Sequence, residues 1–340
     1  MDGRARRRGG VAVTAASPSG PEVLRRALTA AVRAPSVHNT QPWRWRVATD
    51  RLELHADPDR RLPFTDPDRR DQLVSCGSAL GFLHVALAAL GAGHEVTRLP
   101  TGDRNHLATV RLTGAPPDPA DHTVAALARA IPRRRTDRRP FREGVDSRHA
   151  RAVLGEHAAR YGATLHTVTD AVAREHLAAL EDTAAREARA RPGQAAELLV
   201  WTHRYPGSHD GVPAGSLPRG APWRPGPDLG VRFPGGSLPA RAAVRDEATI
   251  MVLTTRADDD PARLAAGEAA GVVLLAATAL GLATCPLSRV LEASRTRADL
   301  ARQVLRTADH PQLLLRVGRP QDDAELPETP RRRPADVLLH

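Results

Sequence analysis

The chain has 340 residues, with 49 basic residues (Lys plus Arg) against 39 acidic ones and a formal net charge of +10. A basic chain favours a nucleic-acid partner, but arginine is spread along the whole sequence, aromatic residues make up only 3%, and no recognition-helix or RNA-binding motif is found. We therefore expect no nucleic-acid partner. No run approaches eighteen consecutive apolar residues, so we expect no membrane-spanning segment.

The first twenty residues contain an arginine cluster, Arg4–Arg8, followed by an apolar run that is too short for a signal peptide. We predict a disordered basic arm over residues 1–20 and a cytoplasmic protein. The two cysteines, Cys76 and Cys285, form no CxxC motif and are expected to be reduced and buried. No set of His, Cys, Asp and Glu residues has zinc-like spacing, so we predict no metal site.

An amphipathic helix is predicted over residues 21–33, and an aromatic strand over 43–47. The segment 35–43 between them reads Pro-Ser-Val-His-Asn-Thr-Gln-Pro-Trp. Asn is found at only two positions of the chain, Asn39 and Asn105, and Lys at none. In a sequence this rich in Arg and Ala, an Asn between a Ser and a Gln indicates a specific need for its side chain.

A pattern of small and apolar residues over 77–91 is repeated over 267–281, at a constant offset of 190 residues. Both copies are predicted to be helices buried on all sides, with small residues that permit close approach. Three glycines of the first copy, Gly77, Gly81 and Gly91, recur in the second, and the last of each set is the expected C-terminal cap.

The repeat predicts two homologous lobes, residues 21–117 and 126–339, joined by a proline-rich segment at 116–119. Alternating or apolar patterns predict strands over 52–55, 108–112, 248–255 and 312–317, among long Ala- and Leu-rich helices. These alternating strands and helices are compatible with an α+β fold.

Two arginine-rich segments are candidates for binding a phosphate group. Residues 131–141 read Ile-Pro-Arg-Arg-Arg-Thr-Asp-Arg-Arg-Pro-Phe, and residues 331–333 are three consecutive arginines. Arginine supplies planar, permanently charged donors that contact phosphate in pairs, and a hydroxyl such as that of Thr136 adds one further donor. The alternative for each segment is a solvated surface patch.

The second lobe contains a long insert, about residues 196–245, between a predicted helix at 170–191 and the strand at 248–255. The insert is rich in Gly and Pro, and a loop of this length in a compact domain is usually a lid or disordered. Its large aromatic residues favour a lid. The candidate lid and substrate residues are Trp201, Tyr205, Asp210, Gly211 and Trp223.

Taken together, these segments resemble the FMN-dependent nitroreductase family, and most closely its actinobacterial Acg-like branch, over roughly residues 21–339. The segment 35–43 is the most specific similarity. The Arg-Arg-Arg-Thr-Asp-Arg-Arg-Pro-Phe segment, the Trp- and Asp-Gly-containing insert, and Gly-Leu-Ala-Thr-Cys-Pro-Leu-Ser at 281–288 add to it.

The resemblance implies an oxidoreductase in which FMN takes hydride from NAD(P)H and reduces a small-molecule acceptor such as a nitroaromatic or a quinone. It also implies a nitroreductase-like fold with a mainly antiparallel sheet in each lobe, and a monomer whose two lobes form an internal pseudo-dimer. The predicted ring-binding segment lies in lobe one and the phosphate-binding segments in lobe two. One complete FMN site is therefore expected between the lobes, together with a degenerate, empty second site.

The resemblance also assigns roles to individual residues, and no side chain beyond the flavin itself is expected to be catalytic. The segment 283–288 presents a backbone N–H to flavin N5, although its sequence alone is equally compatible with a helix end and a proline stop. Arg138 or Arg139 lies near flavin N1 and the C2 carbonyl. An extra residue before Phe141 leaves the register of the first arginine segment open by one position. The expected FMN-binding residues are Pro35, Ser36, Val37, Asn39, Gln41, Arg134, Arg135, Thr136, Arg138, Arg139, Pro286, Leu287, Ser288, Arg331, Arg332 and Arg333.

An alternative function follows from the same branch, which is associated with a covered flavin and poor nitroreductase activity. On that interpretation the chain is a flavin-sequestering protein whose lid closes over FMN without turnover.

Overall fold

The structure is a computed structural model that describes residues 20–114, 123–205, 207–219, 233, 236–239 and 245–339. The predicted basic arm except Gly20, the predicted joint at 116–119, and the candidate lid residue Trp223 lie outside the described residues.

The first half of the chain forms a four-stranded antiparallel sheet with two long helices. The elements are α1 (Gly20–Ala31), β1 (Trp43–Val47), β2 (Arg51–Ala56), α2 (Arg70–Ala89), β3 (His94–Arg98) and β4 (His106–Leu112). The strand order is β1-β2-β4-β3, and every neighbouring pair is antiparallel. Helix α1 buries one face, as its apolar spacing predicts.

The second half repeats this connectivity. The elements are α3 (Val124–Ala130), α4 (Arg148–Ala159), β5 (Thr164–Val168), α5 (Ala171–Arg189), α6 (Pro192–Thr202), β6 (Thr249–Thr255), α7 (Asp260–Ala279), β7 (Ala283–Leu287), α8 (Ser294–Asp299) and β8 (His310–Gly318). The strand order is β5-β6-β8-β7, again with antiparallel pairs throughout. Helices α5 and α6 separate β5 from β6. The predicted α+β architecture with antiparallel sheets is confirmed.

The segment 283–288 differs from its expected conformation, because most of it is a strand rather than a loop or a helix end. Strand β7 pairs with β8 at the edge of the second sheet. An edge strand tolerates Pro286, which has no N–H to donate. Between α7 and this strand lies Gly281, whose φ of 72° matches the 70° of Gly91 after α2. Both predicted glycine caps are thus confirmed.

Helices α2 and α7 cross at backbone contact distance. A Cβ on Gly77 would lie 2.8 Å from the Cα of Gly267, and one on Gly267 would lie 2.7 Å from the Cα of Gly77. The added atoms would also meet the carbonyl oxygens of Leu264 and Val74, two positions that are themselves 190 residues apart. The contact is therefore reciprocal, as at a two-fold interface between identical chains.

The same two helices are long and apolar enough to cross a membrane by length and composition alone. However, 83% of the 18-residue apolar stretch of α2 and 72% of that of α7 are buried inside the protein. Their composition is explained by their position, since each packs against the other in the shared hydrophobic core.

The C-terminal segment returns to the first sheet. The Leu339 N–H donates to the Trp45 carbonyl oxygen at 2.7 Å, and Leu338 forms a parallel bridge with Trp45. The tail that follows β8 therefore packs on the outer edge of β1, and it brings the three terminal arginines to the segment 35–43.

A buried carboxylate joins the two halves beside the helix crossing. Glu268 of α7 is fully buried and accepts hydrogen bonds from Arg98 Nε and Nη2 at 2.7 and 2.9 Å, and lies 2.9 Å from His84 Nε2. His84 Nδ1 is 2.8 Å from His94 Nε2, and His94 Nδ1 faces the Ala92 carbonyl oxygen. Burial lowers the pKa of His94 to about 4, so His94 is neutral and accepts a hydrogen bond from His84. His84 thus donates from Nδ1 to His94, while its Nε2 faces the Glu268 carboxylate.

We expect Gly77→Ala to lower the free energy of unfolding by about 1–3 kcal/mol, because the added methyl group overpacks a backbone contact that cannot relax by rotamer change. Urea denaturation measures this change in the free energy of unfolding. The matched control is Gly155→Ala on α4, where a Cβ would meet no atom within 4 Å and should stabilise by about 0.5–1 kcal/mol. Equal effects of the two substitutions would contradict the close crossing.

Replacing Glu268 with Gln should lower the free energy of unfolding at neutral pH by about 3 kcal/mol, because it leaves His84 and Arg98 without their buried partner. Burial alone would raise the pKa of the Glu268 carboxyl, but hydrogen bonds from His84 and Arg98 bring it below the ordinary 4.5. This stabilisation is present above about pH 4.5 and is lost as the pH falls through the lower folded pKa. Denaturation curves from pH 7 to 3 should therefore converge for the two proteins, whereas the exposed control Glu175→Gln should follow the wild type throughout.

Candidate functional site

The segment 35–41 is a strained loop held by side-chain hydrogen bonds. His38, Asn39 and Gln41 have φ values of 46°, 56° and 50°, in the left-handed region that non-glycine residues rarely adopt. The Gln41 N–H donates to Ser36 Oγ at 2.9 Å, and the Val37 N–H donates to Ser75 Oγ on α2 at 3.0 Å. Strain of this kind is concentrated at functional sites, and Asn is the residue most tolerant of the conformation.

The two amide side chains of this loop bind the insert and the tail. Asn39 Nδ2 donates to the carbonyl oxygens of Gly211 and Pro330 at 2.9 and 3.0 Å, and its Oδ1 accepts from Arg331 Nη1 at 3.0 Å. Gln41 Nε2 donates to the His209 carbonyl oxygen at 2.8 Å. Thus Asn39 joins three segments that are remote in sequence, and its amide N–H groups are engaged by protein carbonyls.

Asp210 fixes the insert against the first half of the chain. Its carboxylate accepts from Arg60 Nη1 at 2.9 Å, from Arg204 Nε and Nη2 at 2.7 and 2.9 Å, and from Ser208 Oγ at 2.6 Å. Burial acts to raise the pKa of Asp210, but these donors lower it to about 2. Arg60 also donates to the Thr40 carbonyl oxygen, so the ion pairs anchor the insert beside the strained loop.

Trp201 and Tyr205, two other candidate lid residues, differ in how they pack within the insert. Trp201 is buried, its face carries the Arg204 guanidinium at 5.0 Å, and its carbonyl oxygen accepts from the Val212 N–H. Tyr205 is 70% exposed and projects away from these contacts. Within the described part of the insert, residues 209–211 accept hydrogen bonds from the loop or donate them to it, and the Phe233 ring packs edge-to-face against His38 at 5.7 Å.

A pocket rich in arginine lies beside the loop. Its lining combines residues from the end of the first helix, from the 131–135 segment and from the tail: Arg33, Ile131, Arg134, Arg135, Glu328, Thr329 and Arg331. Burial, together with repulsion from neighbouring guanidinium groups, lowers the pKa of Arg134 to about 9 and that of Arg331 to about 10. Concentrated positive charge with a single carboxylate among the lining residues is what a bound anion would stabilise.

Three of the predicted arginines lie outside the pocket lining and are paired with carboxylates. Arg139 contacts Asp137 and Asp322 at 2.9 Å each. Arg332 lies 3.4 Å from Asp57 and donates to the Asp336 carbonyl oxygen, and the exposed Arg333 pairs with Asp336 at 2.9 Å. These side chains bind protein groups and lie outside the lining of the pocket.

Arg138 has a different environment. Within the described residues it makes one hydrogen bond, to the Ser216 carbonyl oxygen at 3.3 Å, and its guanidinium lies over the Phe233 ring at 5.3 Å. Burial lowers its pKa, against the opposing effects of Cys285 and Asp137. The backbone ties this segment to β7, since the Asp137 N–H donates to the Thr284 carbonyl oxygen. Pro286, Leu287 and Ser288 follow, all partly buried.

A second cluster, Glu53, His55 and His106, brings three potential metal-binding atoms within 4.8 Å of one another. Both Glu53 oxygens accept from arginines, Arg46 Nη1 at 2.9 Å and Arg51 Nε at 3.0 Å. Two guanidinium groups beside the carboxylate oppose a divalent cation at the same place. Ion pairing therefore accounts for this cluster.

Comparison with known proteins shows to which family the chain belongs. A family model described as the nitroreductase family matches residues 157–319. A Mycobacterium tuberculosis protein named "Putative NAD(P)H nitroreductase Rv3131" is 45% identical over 320 residues, covering 93% of this chain and 91% of the relative. The acg protein of the same species is 35% identical over 329 residues, covering 94% and 96%. The chain belongs to the nitroreductase family.

Among solved structures, the FMN-dependent nitroreductase NfnB from Mycobacterium smegmatis, in complex with NADPH, aligns with a TM-score of 0.41 and 17% identity, covering 64% of this chain and 98% of that one. The sequence-based prediction of the family, including its Acg-like branch, is confirmed by the relatives of higher identity.

Sequence reasoning missed several residues of this candidate site. Arg33 was predicted only as the end of a helix, yet it lines the pocket, and Glu328 lies between it and Arg135. Arg60 and Ser75 position the strained loop. Arg33 could not be singled out from the sequence, because arginine is frequent throughout a chain that contains no lysine. No local pattern distinguishes Glu328 from its acidic neighbours.

We expect Asp210→Asn to release the 208–212 segment, since it removes the charge that Arg60 and Arg204 share. Amide hydrogen exchange over residues 208–212 should become about tenfold faster, which corresponds to about 1.4 kcal/mol of lost protection. The exposed Asp182→Asn on α5 is the control and should leave those amides unchanged. Unaltered exchange in Asp210→Asn would show that the segment is held by other contacts.

Proposed function

We propose that the protein is an FMN-dependent oxidoreductase that uses NAD(P)H to reduce a small acceptor of the nitroaromatic or quinone class. We further propose that it binds one FMN per chain, between the two halves of an internal pseudo-dimer. The arginine pocket beside the strained loop is the observation that carries this proposal.

The charges and donor groups that line the pocket suit a phosphate dianion. Its lining supplies four guanidinium groups, from Arg33, Arg134, Arg135 and Arg331, against the single carboxylate of Glu328. The Nε atoms of Arg134 and Arg135 are buried and have no hydrogen-bond acceptor within the described residues. A phosphate monoester would supply acceptors for these donors and would relieve the repulsion among guanidinium groups that, together with burial, lowers the pKa of Arg134.

The environment of Arg138 fits the polar edge of the flavin ring. Unlike Arg139, which two carboxylates neutralise, Arg138 faces a carbonyl oxygen and an aromatic ring. Two buried hydroxyl groups on adjoining segments, Ser216 Oγ and Thr284 Oγ1, have no partner in the described part of the chain. We therefore assign the position near flavin N1 and the C2 carbonyl to Arg138 rather than Arg139.

When bound, FMN would supply the redox chemistry by accepting hydride from NAD(P)H and passing electrons to the acceptor. The chain's own residues would bind and orient it. The guanidinium groups of the pocket would hold the phosphate, the strained loop would form a wall for the ring, and Arg138 would place positive charge at the polar edge of the ring.

The proposed position of FMN between the two halves is supported by the fact that both halves supply residues to the site. Arg33 and the strained loop come from the first half, and Arg134, Arg135 and Arg331 come from the second. The hydrogen bond from Arg331 to Asn39 joins the two sets directly. The repeated strand order and the reciprocal glycine contacts support the internal pseudo-dimer.

Flavin sequestration is a second candidate, favoured by the contacts of the insert with the loop. The carbonyl oxygens of Gly211 and His209 accept from Asn39 and Gln41, so the insert is closed on the loop. Purified protein reconstituted with FMN should be mixed with NADPH and then a nitroaromatic under anaerobic conditions. Bleaching followed by reoxidation supports the reductase, and a flavin that stays oxidised supports sequestration.

We expect Arg134→Gln to weaken FMN binding by about 10- to 100-fold, because each charge-assisted hydrogen bond contributes about 1.5–3 kcal/mol. Fluorescence titration of the apoprotein measures the affinity, and wild-type protein should saturate at one FMN per chain. Riboflavin, which has no phosphate, should bind both proteins equally. The control is Arg333→Gln, whose side chain is exposed and pairs with Asp336. Two tight flavin sites per chain, or equal losses in the two variants, would refute the assignment.

A further inference from the structure

We propose that Glu328 makes the arginine pocket selective for a phosphate monoester, so that the protein takes FMN and discriminates against FAD. This inference rests on the proposed flavin site and adds the residue that determines which flavin nucleotide enters it.

Glu328 lies at the mouth of the pocket. Its side chain is 67% exposed, whereas Arg134 at the inner end is only 4% exposed. The carboxylate bridges Arg33 Nη2 at 3.1 Å and Arg135 Nη2 at 2.9 Å. These two arginines come from different halves of the chain, so Glu328 spans the opening between them.

The charge balance differs between the two ends of the pocket. At the inner end, Arg134 and Arg331 have no carboxylate within ion-pair distance among the described residues. At the mouth, donor groups of Arg33 and Arg135 are already bound to Glu328. Hydrogen bonds from Arg33 and Arg135 and the charge of these guanidinium groups hold the pKa of the Glu328 carboxyl below its ordinary value, so it is anionic at neutral pH.

This arrangement suits a single terminal phosphate. FMN ends in one dianionic phosphate, which the inner guanidinium groups can receive. FAD carries a second phosphate and an adenosine beyond it, and these would extend past the exposed Glu328 side chain. There the second phosphate would meet the Glu328 carboxylate in place of a free guanidinium, and like charges at short distance repel.

The test uses the full-length apoproteins of the wild type, Glu328→Gln and Glu325→Gln. Glu325 is an exposed carboxylate three residues away with no ion pair in the described chain, so its variant carries the same charge change in the same segment. FMN, FAD and riboflavin are titrated into each protein at low and at high ionic strength.

In Glu328→Gln the affinity for FAD should rise about tenfold and that for FMN about threefold, with riboflavin unchanged, because only the second phosphate approaches the carboxylate closely. High salt should shrink these differences. A ratio of FAD to FMN affinity that stays within about twofold of the wild type, or that changes equally in Glu325→Gln, overturns the role of Glu328. A wild-type protein that binds no flavin instead overturns the proposed function.

Discussion

The close crossing of α2 and α7 is the contact on which the rest of the molecule depends. Glycine at positions 77 and 267 lets the two backbones touch. From this crossing, each helix leads to a different part of the candidate site. Ser75, on α2 and two residues from Gly77, holds the Val37 N–H of the strained loop. Strand β7 follows α7 after the Gly281 cap and receives the Asp137 N–H next to Arg138. A change in the separation of the helices would therefore move the loop relative to the arginines.

The candidate site is assembled from segments that have few interactions of their own. The loop is strained at His38, Asn39 and Gln41, and it keeps this conformation because the insert and the tail bind its amide side chains. The tail in turn is fixed to β1 through Leu339 and Trp45. Each segment stabilises a conformation that the others need, which is how a strained backbone persists in a folded protein.

Features that depend on local chemistry could be predicted from the sequence. Residue spacing predicts the glycine caps, the central helices and five of the strands, and the residues of segment 35–43 are specific enough to indicate the family. Strand β7 could not be predicted because Pro286 is acceptable only at an edge, and the edge is created by pairing with β8. The distinction between Arg138 and Arg139 depends on Asp322, which is distant in sequence. The roles of Arg33 and Glu328 likewise arise only when three remote segments meet.

These contacts also show how the many arginines of the chain are used. Many guanidinium groups near the site are paired with carboxylates, as in Arg139 with Asp137, Arg316 with Asp246 and Arg204 with Asp210. Such pairs fix backbone segments and leave little charge to act at a distance, because opposite charges in contact cancel beyond a Debye length. The pocket departs from this pattern, since four arginines share one carboxylate there. The position of uncompensated charge, rather than the net charge of the chain, is therefore the property that points to the ligand.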